Sequence, residues 1–194
     1  MSNPSITAQV SDKKLPGDLA MWFFILAELT VFAIFFIGFS VSEQLNAEMF
    51  SLGKAQLHQT AGLINTIALI TSSFFVAIAL TQIHKAKAKQ AVFLLLTAKA
   101  FAIIYISVKI WEYISLFEQG ITIETNTFFT LYFLITAFHL MHVLLGMVIL
   151  SFIAYSAWQG KYQNDDISGF ESGTSYWHMV DLLWIILFPL IYVI

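Results

Sequence analysis

The chain has no cysteine and no arginine, and only three prolines in 194 residues. Without cysteine it can hold no disulfide, thiolate-ligated zinc or iron–sulfur cluster, and it has no thiol nucleophile. All nine basic residues are lysines, at positions 13, 14, 54, 85, 87, 89, 99, 109 and 161. No guanidinium fork is therefore present for bidentate recognition of phosphate or carboxylate. The formal net charge is −3, which leaves no basic footprint for nucleic acid. Charge of either sign is scarce: 11% of residues are charged and 59% are hydrophobic, with a mean hydropathy of +0.80. Soluble globules carry about a quarter charged residues. So few charges cannot cover so much apolar surface in water, and the same numbers exclude disorder. Lipid is the solvent for most of this chain.

What is present are five long apolar stretches, at 21–41, 61–83, 91–117, 128–158 and 176–194. Each is near the roughly 20 residues that a hydrocarbon core of roughly 30 Å requires. They are too long for strands and show no ten-residue alternation of a barrel. Backbone groups in lipid must be satisfied internally, so these stretches are expected to be helices. The fold class is thus an all-α integral membrane protein, a five-transmembrane-helix bundle. It forms one domain over residues 20–194, after a polar tail at 1–19 with no cleavable signal-peptide pattern. Pro16-Gly17-Asp18 reads as a turn and cap opening the first helix. The short connector His84-Lys85-Ala86-Lys87-Ala88-Lys89 is basic and is expected to be cytoplasmic. Alternation then places the N-terminus and Lys161 inside, and the connector with Glu118 and Glu124 and the C-terminus outside, on the periplasmic face. Lysines 13, 14, 85, 87, 89 and 161 fall inside, against Lys54 outside.

Ionisable groups inside spans are costly, so each requires an explanation. They are Glu28 in the first span, Lys99, Lys109 and Glu112 in the third, His139 and His142 in the fourth, and His178 and Asp181 in the fifth. The second span has none; its Asn65, Thr66, Thr71, Ser72 and Ser73 suit interhelical hydrogen bonds. At 1.5 Å per residue, Glu28, Lys99, His139, His142 and Asp181 fall in one layer, roughly 8–13 Å from the cytoplasmic boundary. Lys109 and Glu112 fall near the outer boundary, three residues apart and able to pair. His139-x-x-His142 reads either as a metal or haem ligand pair or as buried histidines bonded to carboxylates and carbonyls. Asp181, three residues from His178, is placed to orient that imidazole or to carry a proton. Glu28 reads as a buried neutral acid, as the partner of a fourth-span histidine or Lys99, or as a proton-relay member. At its depth Lys99 calls for an acidic partner. Trp22, Trp111, Trp158 and Trp177 fall near span ends, as an interfacial belt would place them; Trp184 lies deeper and reads as packing. There is no nucleophile elbow, P-loop or metalloprotease motif. On the residues alone, an autonomous proton-linked membrane carrier using Glu28 and the buried histidines is one reading, and a haem- or metal-handling assembly factor is another.

Three segments resemble the haem–copper oxidase subunit III family. The first span reads Trp22-Phe23-Phe24-Ile25-Leu26-Ala27-Glu28-Leu29-Thr30-Val31-Phe32-Ala33, similar to the family helix with a buried carboxylate. The fourth reads Phe138-His139-Leu140-Met141-His142-Val143-Leu144-Leu145-Gly146, similar to F-H-x-x-H-V-x-x-G. The fifth reads Tyr176-Trp177-His178-Met179-Val180-Asp181-Leu182-Leu183-Trp184, similar to Y-W-H-F-V-D-x-x-W. Glu112-Tyr113 also fits. The match is to the last five helices of long seven-span forms and so to the short five-helix form. The lipid-holding cleft walled by the two other helices lies outside it. Leu15-Pro16-Gly17-Asp18-Leu19-Ala20-Met21-Trp22, running into Ala27-Glu28-Leu29-Thr30-Val31-Phe32, looks most like the NorE-like accessory protein of nitric oxide reductase.

The resemblance implies a non-catalytic component of a respiratory electron-transport complex in a bacterial inner membrane, with a role in aerobic respiration or denitrification. It implies no catalytic residue, cofactor or metal on this chain. Haem and copper, or haem and non-haem iron, would reside in the partner. That partner would be catalytic subunit I of a haem–copper oxidase or the large subunit of a nitric oxide reductase. Membrane lipids would surround the chain, with phospholipid a candidate ligand, and it would support stability, assembly and cytoplasmic proton uptake of the catalytic subunit. Glu28 matches the family's carbodiimide-reactive carboxylate and is expected to bond His142 or His139. His178 and Asp181 are expected to tie the fifth helix into the same layer.

Overall fold

Asp18 starts the first helix with a side-chain cap: its Oδ1 accepts from the Ala20 amide at 3.2 Å. The expected preceding turn, Pro16-Gly17, and the lysines at 13 and 14 lie outside the residues described by the computed structural model, which are 18–163 and 167–193. Within these, α1 spans Leu19–Leu45, α2 Ala47–Ala55, α3 Gln59–His84, α4 Ala88–Glu118, α5 Thr127–Trp158 and α6 Ser168–Tyr192, with a 3-10 turn at Lys161–Gln163. Helices α1, α3, α4, α5 and α6 are each long and apolar enough to cross a bilayer. No strand occurs among the described residues.

Helices α3, α4, α5 and α6 form a ring in which α3 packs on α4, α4 on α5, α5 on α6 and α6 back on α3. Small residues permit the close α3–α4 approach, among them buried Ala68 and Ala79 on α3 and Ala91, Ala98 and Ala102 on α4. Ser72 Oγ donates to the Ala98 carbonyl at 2.9 Å across that seam. Helix α1 lies outside the ring against α5 and α6. Only Ile25, Phe32 and Phe39 of α1 are buried, each seven residues from the next, so one narrow stripe makes the contact. The opposite face of α1, including Phe23, Ile34 and Ile37, is exposed and apolar, as lipid contact requires.

Two elements differ from the hydropathy reading. The connector after the first span contains α2, whose Phe50 is fully buried against Phe39 and Phe128, with ring centroids 5.1 and 5.3 Å apart. The fifth helix begins at Ser168 rather than at Tyr176. Its first two turns are too polar to register as apolar, yet Ser172, Gly173 and Thr174 are buried. A Cβ on Gly173 would stand 3.0 Å from Ile153 Cγ2 and 3.1 Å from Ile149 Cγ2, so small size rather than hydropathy seats this segment on α5.

The start of α1, the α3–α4 turn and the start of α6 share one end of the bundle. There the Asp18 amide donates to Ser172 Oγ at 2.9 Å, and His84 Nε2 lies 3.8 Å from Glu171 Oε1. Lys85, Lys87 and Lys89 belong to this end. At the other end Gln59 Nε2 donates to the Tyr192 carbonyl at 3.2 Å, and Lys54 pairs with Glu43. The α3–α4 turn is tight. The Lys87 amide bonds the Gln82 carbonyl and the Ala86 amide that of Ile83, each at 2.9 Å, with Ala86 at φ +56°. This is the left-handed C-terminal motif that glycine usually fills.

Candidate functional site

Helix α5 presents two histidines three residues apart, but they face different neighbours. His142 points toward α1. Its Nδ1 lies 2.7 Å from the Phe138 carbonyl, one turn earlier, and its Nε2 lies 2.9 Å from Glu28 Oε2. A carbonyl only accepts, so Nδ1 carries a proton. Nε2 then faces the carboxyl with one proton between them, giving either carboxylic acid and imidazole or carboxylate and imidazolium. A bare carboxylate opposite a neutral imidazole would set two acceptors against each other. The Phe32 and Phe138 rings lie edge-on to His142 at 5.2 and 4.6 Å. The Glu28 side chain is 20% exposed and that of His142 7%, so the proton-holding pair reaches the surface of the bundle on the α1 side.

His139 points into the ring and is fully buried. Its Nε2 donates to the Val180 carbonyl of α6 at 3.1 Å, and its Nδ1 accepts from the Tyr105 hydroxyl of α4 at 3.1 Å. The neutral imidazole satisfies both bonds and links three helices. All four ring nitrogens of His139 and His142 are thus engaged within the protein, on diverging axes. Among the described residues, no three His, Asp or Glu side chains gather as a metal-holding group.

Lys99 and His178, from the same expected layer, find separate partners. Lys99 Nζ donates to Ser151 Oγ at 2.7 Å, a hydroxyl rather than an acid. His178 Nδ1 lies 2.7 Å from Ser73 Oγ on α3, so a hydroxyl rather than Asp181 orients this ring. Asp181 is buried, and its Oδ1 meets no partner among the described residues. Separate polar contacts therefore replace one shared layer, since successive groups on each helix point to different neighbours.

Lys109 and Glu112 form a second, denser centre. Both are fully buried, with Nζ to Oε2 at 2.9 Å. Because α4 continues to Glu118, the pair lies inside the helix and is enclosed by the ring. Lys109 Nζ also donates to the Tyr132 hydroxyl at 3.0 Å and the Tyr192 hydroxyl at 2.8 Å. All three ammonium protons are thereby engaged. The Tyr192 hydroxyl donates in turn to Glu112, 3.0 and 2.8 Å from its two oxygens. The Lys109 ammonium also stands over the Tyr132 ring, 4.6 Å from its centroid. A buried ion pair persists only when its remaining donors and acceptors are met, and two tyrosines meet them here.

Tyr105, Tyr132 and Tyr192 are the residues that sequence reasoning missed. Tyr105 stands one turn before Lys109, a spacing that could have flagged it; Tyr192 is 83 positions from Lys109 along the chain and gave no local signal. Of the tryptophans, Trp111 and Trp158 are exposed, as an interfacial belt requires, while Trp177 is fully buried. The early start of α6 places Trp177 well inside the helix. Trp184 is also buried, its Nε1 donating to Thr66 Oγ1 at 3.0 Å.

Comparison with known proteins adds the following. A family model described as cytochrome c oxidase subunit III matches residues 11–194. A cytochrome c oxidase subunit 3 from Synechocystis is 32% identical over the whole chain and 88% of its own length. A heme-copper oxidase subunit I+III from Aeropyrum pernix is 27% identical over 90% of the chain, a match spanning 22% of that longer protein. A probable quinol oxidase subunit 3 from Staphylococcus saprophyticus is 25% identical over 92% of the chain and 89% of its own length.

Proposed function

Because the chain belongs to the cytochrome c oxidase subunit III family, we propose that it serves as a non-catalytic subunit of a respiratory haem–copper oxidase. The observation that carries this reading is the relative in which one protein bears the name subunit I+III. A subunit III portion joined to subunit I is the covalent form of the association proposed here. The haem and copper would then reside in the partner, since both ring nitrogens of His139 and of His142 are already hydrogen-bonded within this chain. The chain's own part is to hold a folded five-helix wall against that partner in a bacterial inner membrane. Its N-terminus and the Lys85–Lys89 turn would be cytoplasmic, the orientation that the lysine distribution favours.

The Glu28–His142 pair supports a proton-linked role within that assembly. It holds one proton between Oε2 and Nε2, is partly exposed, and sits on a helix attached by a narrow stripe. The closure of His139, Lys99 and His178 onto partners within the chain favours this reading over an autonomous carrier. A second reading, the NorE-like accessory of a nitric oxide reductase, rests on the segment from Leu15 to Phe32, of which residues 15–17 lie outside the described ones.

The test is an affinity pull-down of the tagged chain in mild detergent, with partners identified and a haem spectrum recorded. An oxidase subunit I in the eluate is the expected result. A nitric oxide reductase large subunit would establish the second reading instead. A chain that elutes alone and colourless would overturn both.

A further inference from the structure

We propose that the outer face formed by α4 and α5 docks a transmembrane helix of the catalytic partner, and that a carboxylate inside that helix pairs with Lys99. The inference rests on the subunit role proposed above and names the surface through which that role is exercised. Lys99 stands where a cation is costly. The apolar stretch of α4 opens at Ala91, which puts Lys99 roughly 12 Å inside it, and Ser151 is roughly 10 Å from the end of α5 at Trp158. A lysine can stretch its ammonium toward the boundary, but this one is held inward by the 2.7 Å bond to Ser151 Oγ. Ser151 spends its own proton on the Met147 carbonyl at 2.6 Å, so it offers Lys99 one neutral acceptor. Two ammonium protons and the charge itself are left over. Among the described residues no carboxylate pairs with Lys99. Lys109, on the same helix, has a carboxylate and two hydroxyls.

The residues around Lys99 form a continuous face. Leu96 and Ile103 stand one turn to either side of it on α4, and Val148 and Tyr155 one turn to either side of Ser151 on α5. All four are exposed, and Lys99 and Ser151 are half-buried between them. Helix α1 packs on α5 and α6, which leaves this face open. Its apolar side chains suit lipid tails as well as a helix, so the charge decides the occupant: a cation at this depth requires an anion at the same depth. A lipid phosphate lies at the boundary, out of reach of an ammonium held to Ser151. A second copy of this chain has no free carboxylate to give, because Glu112 and Asp181 are buried and Glu28 is bonded to His142. The occupant is therefore a different membrane protein with an Asp or Glu inside a span.

The experiment uses the tagged full chain, expressed with its partners and purified in mild detergent. A photoreactive phenylalanine analogue replaces Leu96 or Val148 and, as controls on other exposed faces, Ile34 of α1 or Ile67 of α3. Cross-links to the catalytic subunit are expected from Leu96 and Val148 and not from the controls, on a helix that carries an Asp or Glu close to the linked residue. Lys99→Met should lower the amount of catalytic subunit retained about three- to tenfold, while the melting temperature of the chain alone stays unchanged. Lys99→Glu should lower retention further, and replacing the acid of the cross-linked helix by lysine should then restore it. Rescue by exchanged charges is a result that a packing role for Lys99 would not give. Cross-links only from Ile34 or Ile67, cross-links to a second copy of this chain, or unchanged retention in Lys99→Met would overturn the proposal and leave the subunit role standing. A Lys99→Met chain that alone melts well below wild type would make the Lys99–Ser151 contact an internal bond of the bundle instead. A wild-type chain that retains no catalytic subunit would overturn the subunit role and this inference together.

Discussion

His142 Nε2 lies 2.9 Å from Glu28 Oε2, and this bond joins the outlying α1 to the ring formed by the other four spans. The opposite nitrogen of the same imidazole is fixed by the Phe138 carbonyl at 2.7 Å. The ring therefore cannot change tautomer without losing a bond, and the proton shared with Glu28 is confined to the line between Nε2 and Oε2.

Substitutions at this pair should separate charge from hydrogen bonding. In Glu28→Gln the amide can still donate to a neutral Nε2, so insertion and melting temperature should remain close to wild type. Carbodiimide labelling of the chain should disappear. In His142→Leu the carboxyl loses its partner and stability should fall by about 1–3 kcal/mol. Labelling in detergent and a thermal melt check both outcomes. Undiminished labelling of Glu28→Gln would assign the reactive carboxylate elsewhere.

The Lys109–Glu112 centre should be far more sensitive to single than to double replacement. Lys109→Met leaves a buried carboxylate with only the Tyr192 hydroxyl, and removing one member of such a pair costs about 3–5 kcal/mol. Lys109→Met with Glu112→Leu removes both charges, and most of that loss should be recovered. Denaturant titration of the three proteins in detergent gives the comparison. A double variant no better than the single one would show that the tyrosines, not the charges, set the energy.

The turn at Ala86 offers a change of opposite sign. An L-residue other than glycine in the left-handed region is strained by about 1–2 kcal/mol, and Ala86 has φ +56°. Ala86→Gly should raise stability by about 1 kcal/mol or less, the gain being reduced by the extra freedom of glycine in the unfolded chain. Ala86→Val should lower it. Equal melting temperatures for the three proteins would mean that the turn relaxes out of this conformation.

Much of this architecture was legible because lipid imposes a simple rule: long apolar runs must be helices. That rule placed α1, α3, α4 and α5 within a few residues. It failed where burial depends on size rather than hydropathy, as at Ser172, Gly173 and Thr174 in α6. It also missed α2, whose single buried aromatic, Phe50, finds its partners on α1 and α5. At the candidate site, i,i+3 spacing suggested the Lys109–Glu112 pair, and depth suggested that Glu28 and a histidine of α5 share a level. Spacing could not say that His178 turns to Ser73 rather than to Asp181, because that choice depends on which helix α6 faces. Nor could it bring Tyr192, at the end of the chain, onto a lysine in the middle of α4.

The α5–α6 contact makes the sharpest packing prediction. A Cβ on Gly146 would stand 2.7 and 2.9 Å from Trp177 Cε3 and Cζ3, closer than carbon atoms approach. The obstacle is a fully buried indole rather than the tip of a flexible chain, so Gly146→Ala must displace the ring or separate the helices. Overpacking of this kind costs about 1–3 kcal/mol. Gly38 on α1 is the internal control, since a Cβ there meets nothing within 4 Å. Gly38→Ala should instead stabilise by about 0.5–1 kcal/mol through reduced backbone freedom. Because neighbouring substitutions couple, adding Trp177→Phe to Gly146→Ala should recover part of the loss by shrinking the ring. The same Phe change in a wild-type background should destabilise by opening a cavity. Melting temperatures of the four proteins decide the matter. Additive losses in the Gly146–Trp177 pair would mean that the two helices do not meet at this point.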